Sequence, residues 1–414
     1  MKLLIYGLNF SPELTGIGKY SGEMALWLAA QGHDVRVVTA PPFYPEWRVA
    51  EGFNGRKYAL ENIQAADGGR LRIVRCPVWV PRQPRGVTRI LHLVSFALSS
   101  VPSLARHILW RPDVVFTVEP TVFSAPAAWV AARLCGAKAW LHIQDFELDA
   151  GVDLGLIRAG WLKRAIDFSD QTLMRRFDRV STISKRMMLK LDQKNVPTRL
   201  QVLFPNWVNT KEICPSPRVN ALRSELGIPE GKTVVLYSGN MGEKQGLEIV
   251  MEAARLLMNE PNLQFVMCGT GAAFSRIFSI GKEIPNIMWL PLQPVERLNE
   301  LLAMGDIHLL PQRRDAADLV MPSKLLGIMA SGRPVVATAE SGTEISDCVA
   351  GRGISVEPED VEAFSMAIRR LVANRSEREA FGANARQFAV AHFGEENVLC
   401  QFEVELKGLV SSPD

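Results

Sequence analysis

Cysteine pairs, long apolar runs and low-complexity tracts are all missing from this 414-residue chain. Its six cysteines (Cys76, Cys135, Cys214, Cys268, Cys348, Cys400) are scattered, with no C-x-x-C pair and no His–Cys cluster. That excludes a zinc knuckle or a disulfide scaffold and suits a reduced, cytosolic protein. The longest uncharged stretch, Ile90 to Ala105, has 16 residues and contains His92 and Pro102. A membrane span needs ~20 consecutive apolar residues, so none is expected. The opening Lys2-Leu3-Leu4-Ile5 stops at Gly7, too soon for the apolar core of a signal peptide. Strong net charge is missing too, but the formal +3 hides a division. Residues 1–205 carry 27 Lys and Arg against 17 Asp and Glu (+10), and residues 206–414 carry 20 against 27 (−7). A basic first half and an acidic second half point to two domains with different partners.

What is present begins the same way twice. Lys2-Leu3-Leu4-Ile5-Tyr6-Gly7-Leu8-Asn9 and Lys232-Thr233-Val234-Val235-Leu236-Tyr237-Ser238-Gly239-Asn240 are short apolar runs that break at glycine and asparagine. More glycines and an amphipathic helical stretch follow each. The pattern predicts two nucleotide-fold halves, with helix N-termini suited to a phosphate-bearing substrate lining a site between them. Strands are expected at 2–7, 35–39, 71–75, 113–118, 137–143, 178–183 and 200–204. A second set is expected at 233–238, 263–268, 286–290, 306–310, 334–338 and 353–356. Helices between them make the sheets parallel and covered on both faces. Pro41 to Arg70 reads as one long loop rich in Pro, Gly and aromatics, of the kind that lines a site. Only helical patterns follow Pro358, as far as Lys407, before a frayed tail from Val410. The domains expected are 1–208, 209–390, and a C-terminal helical segment 391–414 crossing back to the first.

Four constellations carry candidate chemistry. Gly16-Ile17-Gly18-Lys19-Tyr20-Ser21-Gly22 is one residue longer than the dinucleotide fingerprint, and Val37-Val38-Thr39-Ala40 lacks the acidic residue a ribose needs, so NAD fits poorly. In Ser238–Gly246 the backbone N–H groups suit a diphosphate and Lys244 adds a cation; Glu243 and Lys244 equally fit a solvated pair. In Trp140-Leu141-His142-Ile143-Gln144-Asp145-Phe146-Glu147, period-2 alternation sets His142 and Gln144 on one face, with Asp145 at the strand's carboxyl edge. A lone histidine in an apolar strand is more often a core residue, but four polar neighbours in six positions favour a site. Finally, Pro322-Ser323-Lys324 starts an apolar helix with a lysine in its first turn. That cation opposes the helix dipole and needs an anion, either a carboxylate such as Asp318 or a phosphate.

Together these residues resemble the retaining GT-B glycosyltransferases of family 4, and among them those of colanic acid biosynthesis. The resemblance is carried by Gly16–Gly18, His142, Pro205-Asn206, Gly239-Asn240, Gly269-Thr270-Gly271, Pro322-Ser323-Lys324 with Ala330-Ser331-Gly332, and Gly342-Thr343-Glu344-Ile345. It implies an α/β fold of two Rossmann-like domains facing each other across a cleft. The C-terminal domain would hold the nucleotide-diphosphate sugar and the N-terminal one the acceptor. It also implies retention of anomeric configuration with no cofactor and no metal, and the chain has no D-x-D motif. By that likeness His142, Asp145 and Lys244 are the catalytic candidates. Gly16, Ile17, Gly18, Asn206, Gly239, Asn240, Gln245, Gly269, Ser323, Lys324 and Glu344 are expected to hold the donor. The chain departs from the family at Asn240, where arginine is usual, at Gln245, where the lysine moves to Lys244, and at Leu319 and Gly327, where two glutamates are usual. Lys324 and Asp318 are the expected substitutes.

The function expected is sugar transfer, with GDP-fucose or a UDP-sugar as donor, to a lipid-linked oligosaccharide in exopolysaccharide assembly. Arg82, Arg85 and Arg89 before the apolar 90–105 segment, Arg106 and Arg111 after it, and the basic, aromatic stretch Arg158–Arg179 suit an anionic bilayer surface. A cytoplasmic protein, peripheral on the inner membrane and with no nucleic-acid partner, is expected. The rivals are a GT-B UDP-sugar epimerase and a non-catalytic membrane- or nucleic-acid-binding module.

Overall fold

Leu3 to Tyr6, four consecutive buried apolar residues, form the centre of the first sheet, because only a strand covered on both faces can bury such a run. The computed structural model describes residues 1–414 apart from 15, 65–68, 120–122, 147–168, 218, 315–321 and 412–414. By contacts the chain divides into two units, Met1–Pro205 with Leu399–Asp414, and Asn206–Val398. The return to the first unit thus starts at Leu399, not at 391, and the division falls at Pro205 instead of 208.

The first unit has an eight-stranded sheet in the order β3-β4-β2-β1-β5-β6-β7-β8. Its elements are β1 (Lys2–Gly7), α1 (Gly16–Ala30), β2 (Asp34–Thr39), β3 (Ala59–Gln64), β4 (Arg70–Arg75), α2 (Val87–Trp110), β5 (Val114–Glu119), α3 (Ala125–Cys135), β6 (Lys138–Ile143), β7 (Arg179–Thr182), α4 (Lys185–Gln193) and β8 (Gln201–Leu203). All neighbours pair in parallel except β3, which runs antiparallel to β4 at the edge. β3 lies inside the interval expected to be loop. None of its six residues is buried, so it carries no apolar alternation to read.

The second unit has a six-stranded, wholly parallel sheet in the order β11-β10-β9-β12-β13-β14. In chain order it runs α5 (Ala221–Glu225), β9 (Thr233–Ser238), α6 (Glu248–Leu256), β10 (Leu263–Cys268), α7 (Phe274–Gly281), β11 (Ile287–Leu290), α8 (Leu298–Met304), β12 (Ile307–Leu310), α9 (Ser323–Ala330), β13 (Val335–Thr338), α10 (Glu344–Val349), β14 (Gly353–Val356), α11 (Val361–Ala373) and α12 (Arg375–Phe393). The order reverses between β9 and β12, which is where an open α/β sheet leaves a crevice at its carboxyl edge. A last helix, α13 (Glu395–Ser411), carries the chain into the first unit. There Phe402 stacks on Phe204 (4.2 Å between centroids) and meets Phe116 and Trp140 edge-on, while Glu403 pairs with His33 at 2.8 Å. The helix runs through Val410 and Ser411, which were expected to fray.

α2 is longer than the uncharged run that announced it. Its 24 residues are long and apolar enough to cross a membrane by length and composition. One face nevertheless buries Leu93, Phe96, Ser100, Leu104 and His107, and Tyr6 bonds Ser100 at 2.6 Å. The opposite face leaves Val87, Leu91, Leu98 and Val101 exposed, at spacings of three, four and seven.

Candidate functional site

At the carboxyl edge of the second sheet, the loops after β9 and β10 are stitched together. Met241 N–H donates to the Thr270 carbonyl (2.8 Å), Ala273 N–H to that of Met241 (2.8 Å), and Gly239 N–H to that of Cys268 (3.0 Å). Gly269, at φ 145°, lies so close to this seam that a Cβ there would fall 1.9 Å from the Gly239 carbonyl oxygen. A Cβ on Gly271 would fall 2.4 Å from Asn240 Oδ1. The glycines are there because two backbones must touch.

Lys324 enters the same place from the first turn of α9. Its Nζ donates to Tyr237 Oη (3.3 Å) and lies 4.6 Å from the Tyr237 ring centre, and its Cδ is 3.9 Å from where a Cβ on Gly239 would be. Tyr237 in turn donates to the Asn240 carbonyl (2.5 Å). Burial of this ammonium pushes its pKa down to about 8, and burial also raises that of the Tyr237 phenol. No side chain caps the start of α9, where Pro322 is the N-cap and Ser323 is exposed. A helix start without a side-chain cap and a cation thus converge beside the Gly239–Asn240 turn, an arrangement that suits a diphosphate.

The rest of the loop is arranged around that charge. Gln245, expected to face the donor, turns its Oε1 back to accept from Gly242 N–H (3.0 Å) and shapes the loop. Glu243 and Glu248, whose negative charges would repel a phosphate, are both paired with Arg276 of α7. Lys244 is exposed, and its carbonyl accepts from Arg313 N–H (3.0 Å). Arg313, just past β12, was missed in the sequence. Nothing in a single chain links residue 313 to residue 244, although a cation at the end of the first strand beyond the switch point was a usable signal. Gly246, at φ 54°, leaves room for the Arg313 stem, since a Cβ there would lie 2.8 Å from its Cγ. Past β13, Thr343 caps α10 by accepting from Ser346 N–H (3.3 Å), which places the half-buried Glu344 at this edge. Asn206 is half-buried where the chain enters this unit.

In the first unit two of the candidate groups make contacts within the unit itself. His142 is 3% exposed and faces the interior. The Gln144 amide donates to its Nε2 (3.0 Å), leaving Nδ1–H to donate to the Ser181 hydroxyl (2.8 Å), which also accepts from Trp140 Nε1 (2.8 Å). Its ring packs on Phe116 and Phe204, at 5.5 and 5.0 Å between centroids, and burial lowers its pKa to about 3. Here it is a neutral core histidine with both nitrogens engaged, and among the described residues of the cluster only Asp145 is exposed. Gly16–Gly18 is open at one end and packed at the other. Gly16 is exposed and Ile17 half-buried, but a Cβ on Gly18 would fall 2.4 Å from a Glu13 carboxyl oxygen. That carboxyl accepts from Phe43 and Tyr44 N–H (3.1 Å each) and from the Asn9 amide (3.0 Å), so Glu13 is held against Gly18. Asp318, Leu319, Glu147 and residues 158–168 of the basic stretch lie outside the described residues.

Among the described residues of the first unit, two concavities bear on the candidate site. One of about 850 Å³ lies among the loop after β2, the segment after β4, and α2. Another of about 380 Å³ lies at the amino ends of β2 and β4, between Asp34, Arg36, Asn62 and Arg72, and holds none of the expected site residues.

Two Rossmann-like units, the second with its phosphate-type loop at the switch point, place the chain in the GT-B class of α/β proteins. Residues 15–207 match the family model described as glycosyl transferase 4-like domain, and residues 219–388 that described as glycosyl transferases group 1. The putative colanic acid biosynthesis glycosyl transferase WcaI of Escherichia coli K12 is 43% identical over 418 residues, covering 99% of this chain and 100% of that one. Among solved structures, sucrose-phosphate synthase from Thermosynechococcus elongatus superposes with a TM-score of 0.75 at 17% identity over 100% of both chains. Anabaena HepE in complex with UDP-glucose gives 0.68 at 14%, over 99% of this chain and 100% of that one. At those identities the two structures speak for the fold alone. The chain belongs to the family 4 glycosyltransferases.

Proposed function

We propose that this glycosyltransferase moves a sugar from a nucleoside-diphosphate donor, held by the second unit, to a lipid-linked oligosaccharide held by the first. The product would be a repeat unit of a colanic-acid-like exopolysaccharide, made at the cytoplasmic face of the inner membrane. The full-length likeness to WcaI supports the pathway. The observation that carries the reading is Lys324 set over the Gly239–Asn240 turn at the uncapped start of α9.

The chemistry follows from where charge appears. As the sugar–oxygen bond breaks, negative charge gathers on the departing diphosphate. Lys324, the N–H groups at the start of α9, and the Lys244 and Arg313 side chains are the donors that meet it without a metal ion. The acceptor hydroxyl attacks from the face the diphosphate leaves and gives its proton to a diphosphate oxygen, so configuration is retained. Lys324 does for this chain what arginine at position 240 does elsewhere in the family.

Titration of UDP, GDP, dTDP and CDP between pH 7 and 9.5 tests this. An ammonium of pKa about 8 is charged below that value and neutral above it, and a bound diphosphate raises it. Affinity is therefore full below pH 8 and falls as pH rises through 8, by up to ~10-fold per unit. Lys324→Arg should flatten the profile. Lys324→Ala should weaken the diphosphate ~10–100-fold, as loss of a charge-assisted bond does, and leave the nucleoside unchanged. Absence of any nucleoside-diphosphate binding by the native protein would overturn the reading.

A further inference from the structure

The long loop after β2 builds a preformed groove in the first unit that the donor chemistry leaves unused. Three bonds join its walls: Val78 N–H donates to the Gly55 carbonyl (2.9 Å), Trp79 N–H to Ser95 Oγ (3.0 Å), and Tyr58 Oη to the Ser99 carbonyl (2.6 Å). Buried Arg75 stands behind the lining residue Phe53. It donates to the Ser11 carbonyl (2.6 Å), pairs with Glu61 (2.9 Å) and sets its guanidinium 5.4 Å from the Phe53 ring. Trp47 is held at φ 50°, in the left-handed region that L side chains rarely adopt, with its ring against Phe43 and His92 at 5.5 and 5.4 Å. Buried His92 also lies 2.7 Å from the Trp79 carbonyl, so one imidazole positions both tryptophans. Backbone strain tied to a positioned aromatic marks a surface built for a ligand.

The lining states the ligand's chemistry. Arg48, Arg56 and Arg82 are exposed at the groove, Glu46 is the one carboxylate lining it, and none of the three guanidiniums has an ion-pair partner among the described residues. Three forked cations call for phosphate oxygens. Trp47, Phe53 and Trp79 add an apolar wall, and the groove's size lies within the ~300–1,000 Å³ of ligand sites. Ser95 and Ser99 of α2 complete it, and exposed Leu91 and Leu98 stand one turn before and one residue before them. The groove thus opens beside the apolar stripe of that helix. An anionic head and an apolar chain are required together, which describes a lipid diphosphate.

We propose that this groove seats the diphosphate and the first carbons of the lipid on which the acceptor sugar is carried, with Arg48, Arg56 and Arg82 on the phosphates and Trp47, Phe53 and Trp79 on the chain. It rests on the acceptor reading above and assigns that acceptor's anchor a place.

Calorimetric titration of the full chain with farnesyl diphosphate, inorganic diphosphate and farnesol tests it. The diphosphate lipid should bind at least tenfold tighter than either fragment. The exposed pair Arg56→Ala and Arg82→Ala should lose at least tenfold, and Trp79→Ala should weaken farnesyl diphosphate but not inorganic diphosphate. Lys324→Ala should change none of these. Equal binding of inorganic diphosphate would make this a free-phosphate site and overturn the proposal. So would binding that survives the double variant or vanishes with Lys324→Ala, since the ligand would then lie elsewhere. Nucleoside-diphosphate binding by the native protein and the double variant is measured alongside, so failure here stays distinct from failure of the donor reading.

Discussion

His142 shows what burial does to a candidate catalytic group. An imidazole with a pKa of about 3 stays neutral at every physiological pH, and its nitrogens already serve Gln144 and Ser181. Removing it opens a hole between Phe116 and Phe204 and takes one hydrogen bond each from Gln144 and Ser181. His142→Ala should therefore cost ~2–4 kcal/mol in urea unfolding, from cavity and lost hydrogen bonds together. Nucleoside-diphosphate affinity of the folded variant should be unchanged. Lost transfer at native stability would show instead that the ring reaches the donor during turnover. Lys324 is desolvated as well, yet it keeps a pKa of about 8 and so remains chargeable by the anion it meets.

The element that matters most is the seam between the loops after β9 and β10. Gly269→Ala would force a methyl group to within 1.9 Å of the Gly239 carbonyl at a φ of 145°. The seam must then part, moving Gly239 and Asn240 from beneath Lys324. The expected result is a loss of ~1–3 kcal/mol of stability and at least tenfold weaker nucleoside-diphosphate binding. Gly351→Ala, also at positive φ but with open space around it, should lose stability without losing affinity. Strands were legible in the sequence wherever both faces are covered: β9 and β10 begin and end where the apolar runs do. β3 was not, because an exposed edge strand carries no pattern. The glycine turns after β9 and β10 were legible as well, since touching backbones demand glycine at Gly269 and Gly271 and a positive φ favours it at Gly239. The facing of His142 was not. Alternation tells which residues share a face but not what covers it, and the cover is the rings of Phe116 and Phe204, residues far from His142 in sequence. Arg313 was hidden for the same reason, being joined to Lys244 only through the order of strands.

At the scale of the molecule, charge is distributed by unit. The C-terminal return brings one lysine and three acids to the first unit, leaving it with 28 Lys and Arg against 20 Asp and Glu (+8) and the second with 19 against 24 (−5). Within the basic unit, the exposed stripe of α2 follows Arg82, Arg85 and Arg89 directly, and Leu98 at its middle is 68% exposed. Basic side chains beside an apolar helix face bind an anionic surface, each worth ~1 kcal/mol near it. Flotation with vesicles containing phosphatidylglycerol should therefore carry the protein, and phosphatidylcholine alone should not. Raising salt from ~0.1 M to ~1 M shortens the screening length from ~10 Å to ~3 Å and should release most of it. Arg85→Ala with Arg89→Ala should weaken partitioning by ~2 kcal/mol, or about thirtyfold. Leu98→Glu should do so at any salt concentration, because it removes the apolar contact instead of the charge. Equal flotation on neutral and anionic vesicles would mean that the stripe of α2 meets something other than a bilayer.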